Sequence, residues 1–147
     1  MTVSNHAITA ANLSLVFQKW WIVPIAFLSH FILDLLPHYG QILDKRSKLF
    51  ITIQIIDAIT LLLVFVLIFN TNSINLAITI SAVIVACMPD MIWVIRFIRE
   101  QIGAVDIPKS YISKIHSFLN MHEYKNGWVF DIAWFAAMLI VFINIKT

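Results

Sequence analysis

The chain has 147 residues, 61% of them hydrophobic and only 12% charged, with a formal net charge of +2 and a mean hydropathy of +0.88. Soluble domains run nearer about 45–50% apolar and about 25% charged, so a water-soluble polar shell is excluded, and the abundance of aliphatic and aromatic residues excludes disorder. One cysteine, Cys87, excludes an intramolecular disulfide, a CxxC zinc site and an iron–sulfur cluster, and the small net charge gives no reason to expect a nucleic-acid partner.

An integral membrane protein remains: a single all-α domain over 1–147, a polytopic helix bundle of four to five transmembrane helices plus one cytoplasmic-side amphipathic helix. In chain order, helices are predicted near 5–18, 20–37, 48–69, 74–98, 108–122 and 126–145. The first is apolar over 7–17 but short, and reads as a partly inserted helix packed on the next. The second has Trp20 and Trp21 as interfacial anchors, with Lys19 beside them. The runs 49–69, 74–95 and 128–145 reach the roughly 20 apolar residues that cross a bilayer. Between the last two lies a long polar connection, 96–126, in which Ile107, Tyr111, Ile112, Ile115, Phe118 and Leu119 fall at helical spacing and predict a helix lying on the membrane surface. The first 18 residues carry no basic stretch, so no cleavable leader is expected.

Eight of the ten basic residues fall on one side: Lys45, Arg46, Lys48, Arg96, Arg99, Lys109, Lys114 and Lys125, against Lys19 and Lys146. The positive-inside rule then places the loop around Lys45 and the 96–126 connection in the cytoplasm.

Ionisable side chains inside an apolar span cost roughly 2.5–3.5 kcal/mol each, so each needs a reason. This chain has His30, Asp34, Asp57, Asp90 and Asp131 in such positions. His30 and Asp34 are four apart and share a helix face, with His38 just beyond Pro37, which ends or bends the helix. Counted from the helix ends, all four acids fall in the cytoplasmic leaflet. Taken singly, each has a structural explanation: a helix-pairing hydrogen bond for His30 and Asp34, a protonated acid for Asp57, and a helix cap after Pro89 for Asp90. Four unrelated structural roles do not predict a shared depth, whereas a buried polar site does. Crowded carboxylates must take up protons or enclose a cation, and imidazole with carboxylate suits zinc, manganese or iron. The surface helix can add His116; His122, six residues on, points elsewhere.

The opening His6-Ala-Ile-Thr-Ala10, the run from Ser29 through His30 and Asp34 to Pro37-His38, the Met88-Pro89-Asp90 turn, and His116 followed by Gly127 and Asp131 resemble one family. It is the small bacterial inner-membrane proteins described as membrane-bound, metal-dependent hydrolases and linked to LexA regulation. The resemblance implies that His6, His30, Asp34, Asp90 and His116 hold the metal, with His38 as a further candidate ligand. It also implies that the first segment is a fifth, short crossing that brings His6 to the same leaflet. The sequence departs from that pattern at Ala10, where such proteins often carry glycine, and at His116-Ser117, where they often carry His-Arg; without that arginine a fixed cation to bind a phosphate or stabilise an oxyanion is missing, unless Arg96 or Arg99 supplies it.

The expected function is a metal-dependent hydrolase, with zinc ahead of manganese or iron. Asp57 and Asp131 are its catalytic candidates, acting as general base or orienting a ligand histidine. Membrane lipids are the expected surroundings, and an amphiphilic lipid phosphoester is the expected substrate. The alternatives are a small ion- or proton-coupled carrier and a non-catalytic membrane scaffold.

Overall fold

The computed structural model describes residues 1–39, 48–71, 75–101, 126–146 and, singly, 111, 114, 118 and 124. The described residues form five helices and no strand: α1 (Val3–Phe17), α2 (Ile22–Asp34), α3 (Lys48–Phe69), α4 (Leu76–Gln101) and α5 (Trp128–Lys146). Two of them are long and apolar enough to cross a membrane, α3 with 22 residues and the 18 residues Trp128–Ile145 of α5. Both expose most of their surface, with Leu62 and Ile140 more than half accessible. At 1.5 Å per residue, 22 residues extend about 33 Å, the thickness of a hydrocarbon core.

The short first helix is the hub of the bundle. Eleven of the 15 residues of α1 are buried, and it packs against α2, α3, α4 and α5. The sequence predicts a helix packed on its chain neighbour, and that contact is present; the further contacts arise because the polar residues of α1 find partners on distant helices. Small side chains allow the close approach: Ala7, Ala10 and Ala11 of α1 share one core with Ala26 of α2, Ala82 and Ala86 of α4, and Val64, Ile68 and Phe142.

Directions follow from the hydrogen bonds. Asn5, Thr9 and Asn12 of α1 meet Asp131, Trp134 and Met138 of α5, a nearly constant offset that makes these helices parallel. Ser14 bonds Thr79 at 3.0 Å while the Cys87 thiol donates to the Val3 carbonyl, so α4 runs antiparallel to α1. The α1 N-terminus, the α2 C-terminus and the α5 N-terminus therefore meet at one end.

Helix α2 stops at Asp34, three residues before Pro37. Helix α4, by contrast, continues through Pro89 without restarting, so Asp90 is not a helix cap. Of the predicted surface helix, Tyr111, Lys114 and Phe118 are helical and exposed; the rest of 108–122, with His116, and also His122 lie outside the described residues.

Candidate metal centre

Successive residues of a helix project about 100° apart, and the first turn of α1 uses this to address the surrounding helices in sequence. Val3 and Ser4 face α3, Asn5 faces α5, and His6 faces α2 and α4. The four carboxylates singled out above all converge on residues 1–6.

His6 and His30 are both completely buried, and their rings stack with centroids 3.9 Å apart and 26° between planes. His6 Nε2 lies 3.2 Å from Asp34 Oδ1 and 3.8 Å from Asp90 Oδ2. His30 Nε2 lies 3.0 Å from Asp34 Oδ2, across the four-residue step that the sequence predicts. One ligand atom each from His6, His30 and Asp90 falls within 4.8 Å of the other two. Asp34, completely buried, touches both imidazoles and also accepts the Met1 ammonium at 2.7 Å. Asp90 is the accessible edge of the group, its side chain 14% exposed.

The donor set fits a divalent ion. Neighbouring ligand atoms around a four-coordinate ion with bonds of about 2.0–2.1 Å stand about 3.3–3.4 Å apart. Within the group, His6 Nε2 and Asp90 Oδ2 stand 3.8 Å apart, and the shorter separations of 3.0 and 3.2 Å belong to Asp34, which lies against both rings. The fully buried His6 ring has Asp34 Oδ1 3.2 Å from Nε2, and its Nδ1 makes no hydrogen bond among the described residues. Buried polar atoms are normally hydrogen-bonded, so Nδ1 is the atom of this ring that the core leaves for another partner. Two imidazoles with carboxylate suit zinc, manganese or iron.

The remaining sequence candidates sit around this group. Asp57 Oδ2 accepts the Val3 N–H at 2.9 Å, and its Oδ1 accepts the Ser4 N–H at 3.1 Å and the Ser4 hydroxyl at 2.5 Å. Asp131 Oδ1 accepts the Asn5 amide at 3.2 Å and its Oδ2 accepts the Tyr39 N–H at 2.9 Å. The buried His38 donates from Nδ1 to the Leu36 carbonyl at 2.8 Å, because a carbonyl can only accept. Burial pushes the His38 imidazole below its ordinary value, and the Met1 ammonium acts in the same direction.

Around His38 two chain segments are clasped together. Tyr124 N–H donates to the His38 carbonyl at 3.0 Å, and Gly127 packs so closely that a Cβ there would overlap the His38 carbonyl and the Tyr39 nitrogen. An open cavity of about 320 Å³ lies beside this clasp, lined by Pro37, Tyr124, Asn126, Gly127 and Phe130. The sequence reading missed Ser4 and Asn5, whose only signal is two polar residues preceding a histidine at the start of an apolar helix.

The chain matches no protein-family model, no curated protein and no solved structure.

Proposed function

We propose that this chain is a multi-pass protein of a bacterial inner membrane that holds a divalent ion, zinc first, and hydrolyses an amphiphilic phosphoester at the cytoplasmic face. The observation that carries the reading is the convergence of His6, His30 and Asp90 within 4.8 Å. The motif resemblance to membrane-bound metal-dependent hydrolases points the same way, as does the excess of basic residues in the loops around Lys45 and in 96–126.

His6, His30 and Asp90 would hold the ion, which supplies a Lewis acid able to activate water or polarise a phosphoryl oxygen. Asp34 stands against the Nε2 atoms of both imidazoles, and such a carboxylate–histidine pairing orients metal ligands and raises their basicity when the ion takes the other ring nitrogen. Asp90, at the exposed edge, marks the side from which substrate approaches. The cavity beside Pro37 and Phe130 gives the hydrocarbon part of an amphiphile a place next to His38.

The test is release of phosphate or headgroup from lipid phosphoesters by detergent-solubilised protein, with and without added zinc or manganese. The reading predicts metal-dependent turnover that disappears in Asp90→Asn and His30→Ala. A metal-loaded protein that turns over none of these lipids would remove the hydrolase. A carrier reading draws on Thr9, Asn12 and Ser14, which extend the polar face of α1 beyond the site; each of them bonds a helix neighbour. Metal uptake into protein-loaded vesicles separates the two.

A further inference from the structure

We infer that Asp57 and Asp131 are positioning residues that set the place of His6, each through the residues preceding it in the first turn of α1. A helix begins with backbone N–H groups that have no partner inside the helix. Thr2, at the cap position, offers them no side-chain hydrogen bond. Asp57 supplies the cap from another helix, taking the N–H groups of both Val3 and Ser4 together with the Ser4 hydroxyl. A carboxylate at this end also complements the helix dipole.

The next residue is held from a different direction. The Asn5 amide donates to both the carbonyl and the carboxylate of Asp131, at 3.1 and 3.2 Å. The carbonyl and the side chain are thus gripped by one NH2 group, which fixes the rotation of α1 against α5. Asp131 is itself anchored by the Tyr39 N–H. With Ser4 tied to α3 and Asn5 to α5, the following residue must point toward α2 and α4, where His30, Asp34 and Asp90 stand.

Both oxygens of Asp57 and both of Asp131 are engaged by N–H or O–H donors. Each carboxyl group is thus tied on both sides to the groups it holds in place. The function of this arrangement rests on the metal-site reading; its geometry rests on the hydrogen bonds alone.

The experiment uses the full chain in mild detergent and compares wild type with Asp57→Asn, Asp57→Glu and Asn5→Ala. Asparagine at 57 puts an NH2 group against an N–H donor, whereas glutamate restores the carboxylate. Asn5→Ala leaves Asp131 in place and removes only its grip. Two quantities are read: affinity for cobalt(II) followed by its visible absorption, and reaction of His6 with diethyl pyrocarbonate mapped by mass spectrometry on metal-free protein. The inference predicts a 10- to 100-fold weaker affinity, the usual effect of removing an outer-shell partner, in Asp57→Asn and Asn5→Ala, with partial recovery in Asp57→Glu. It also predicts that His6, protected in wild type, becomes reactive in the two weakened variants while circular dichroism keeps its helical signal. Wild-type affinity and unchanged His6 protection in both variants would overturn it. A wild type that binds no metal, yet loses His6 protection in the variants, would sink the metal site and leave the positioning role standing. If neither metal binding nor any change in protection is seen, both fall.

Discussion

The imidazoles of His6 and His30 lie face to face, 3.9 Å between centroids, with Asp34 against Nε2 of each. Neutral imidazole is the form that binds metal, and this pair brings two such rings to one place. Binding to the folded state alone then stabilises the protein by mass action. At a free zinc concentration a hundred times the dissociation constant the gain is about 2.7 kcal/mol. Thermal denaturation in detergent should therefore shift upward with zinc, reverse with chelator, and show no shift in His30→Ala.

The close approach of Gly127 to His38 gives a sharper structural test. A methyl group at 127 would collide with backbone atoms of His38 and Tyr39, which cannot swing away as a side chain end can. Gly127→Ala should destabilise by about 1–3 kcal/mol, the range for overpacking a filled site. It should also loosen the Tyr124–His38 and Tyr39–Asp131 hydrogen bonds. Chemical denaturation of wild type and variant measures the first effect, and hydrogen exchange at Tyr39 the second.

His38, beyond the end of α2, carries a pH dependence of definite sign. Its proton affinity is lowered in the folded state from the ordinary 6.5 by burial, so the fold favours the neutral ring. Above the unfolded-state value both states are neutral and nothing is lost. As pH falls below it, the unfolded chain takes up the proton first and stability declines. Denaturation midpoints between pH 7.5 and 5.5 should fall on acidification. In His38→Asn, which keeps a donor for the Leu36 carbonyl, the decline should be shallower.

Helices α1 and α5 are joined by a row of side-chain hydrogen bonds whose worth can be measured singly. Trp134 Nε1 donates to Thr9 Oγ1 at 3.0 Å, and the Asn12 amide donates to the Met138 carbonyl at 2.8 Å. Hydrogen bonds between membrane helices average about 0.6 kcal/mol. Trp134→Phe should cost slightly more than that, because it also removes ring area, and the double variant with Thr9→Val should add little to it. Additive losses in the cycle would contradict the contact.

The parts of this architecture legible in the sequence are the local ones. The bounds of α3 follow from a predominantly apolar run over 49–69, flanked by Lys48 and Asn70. The His30–Asp34 contact follows from a four-residue step on one helix. The place of α1 was not legible, because its partners lie up to 126 residues away in sequence. The segment reads as apolar but short over 7–17, and Ser4, Asn5, Thr9 and Asn12 carry no local sign of where their partners lie. They are buried because acids, an indole and a carbonyl on other helices receive them. Asp57 and Asp131 were legible as buried acids in apolar spans, but which backbone they hold depends on the packing of α1. The helix does not restart at Pro89: the proline is carried inside α4, which packs along α1 and α2.

The central claim is that His6, His30 and Asp90 form a metal site, and the metal content of the purified protein tests it most directly. The protein is prepared in mild detergent without a metal-binding tag and analysed by inductively coupled plasma mass spectrometry, beside His6→Ala, His30→Ala and Asp90→Asn. The account predicts close to one zinc, manganese or iron per chain in wild type and a large loss in each variant. A folded wild type that carries no metal and takes none up on addition would contradict it, as would variants that retain the full complement.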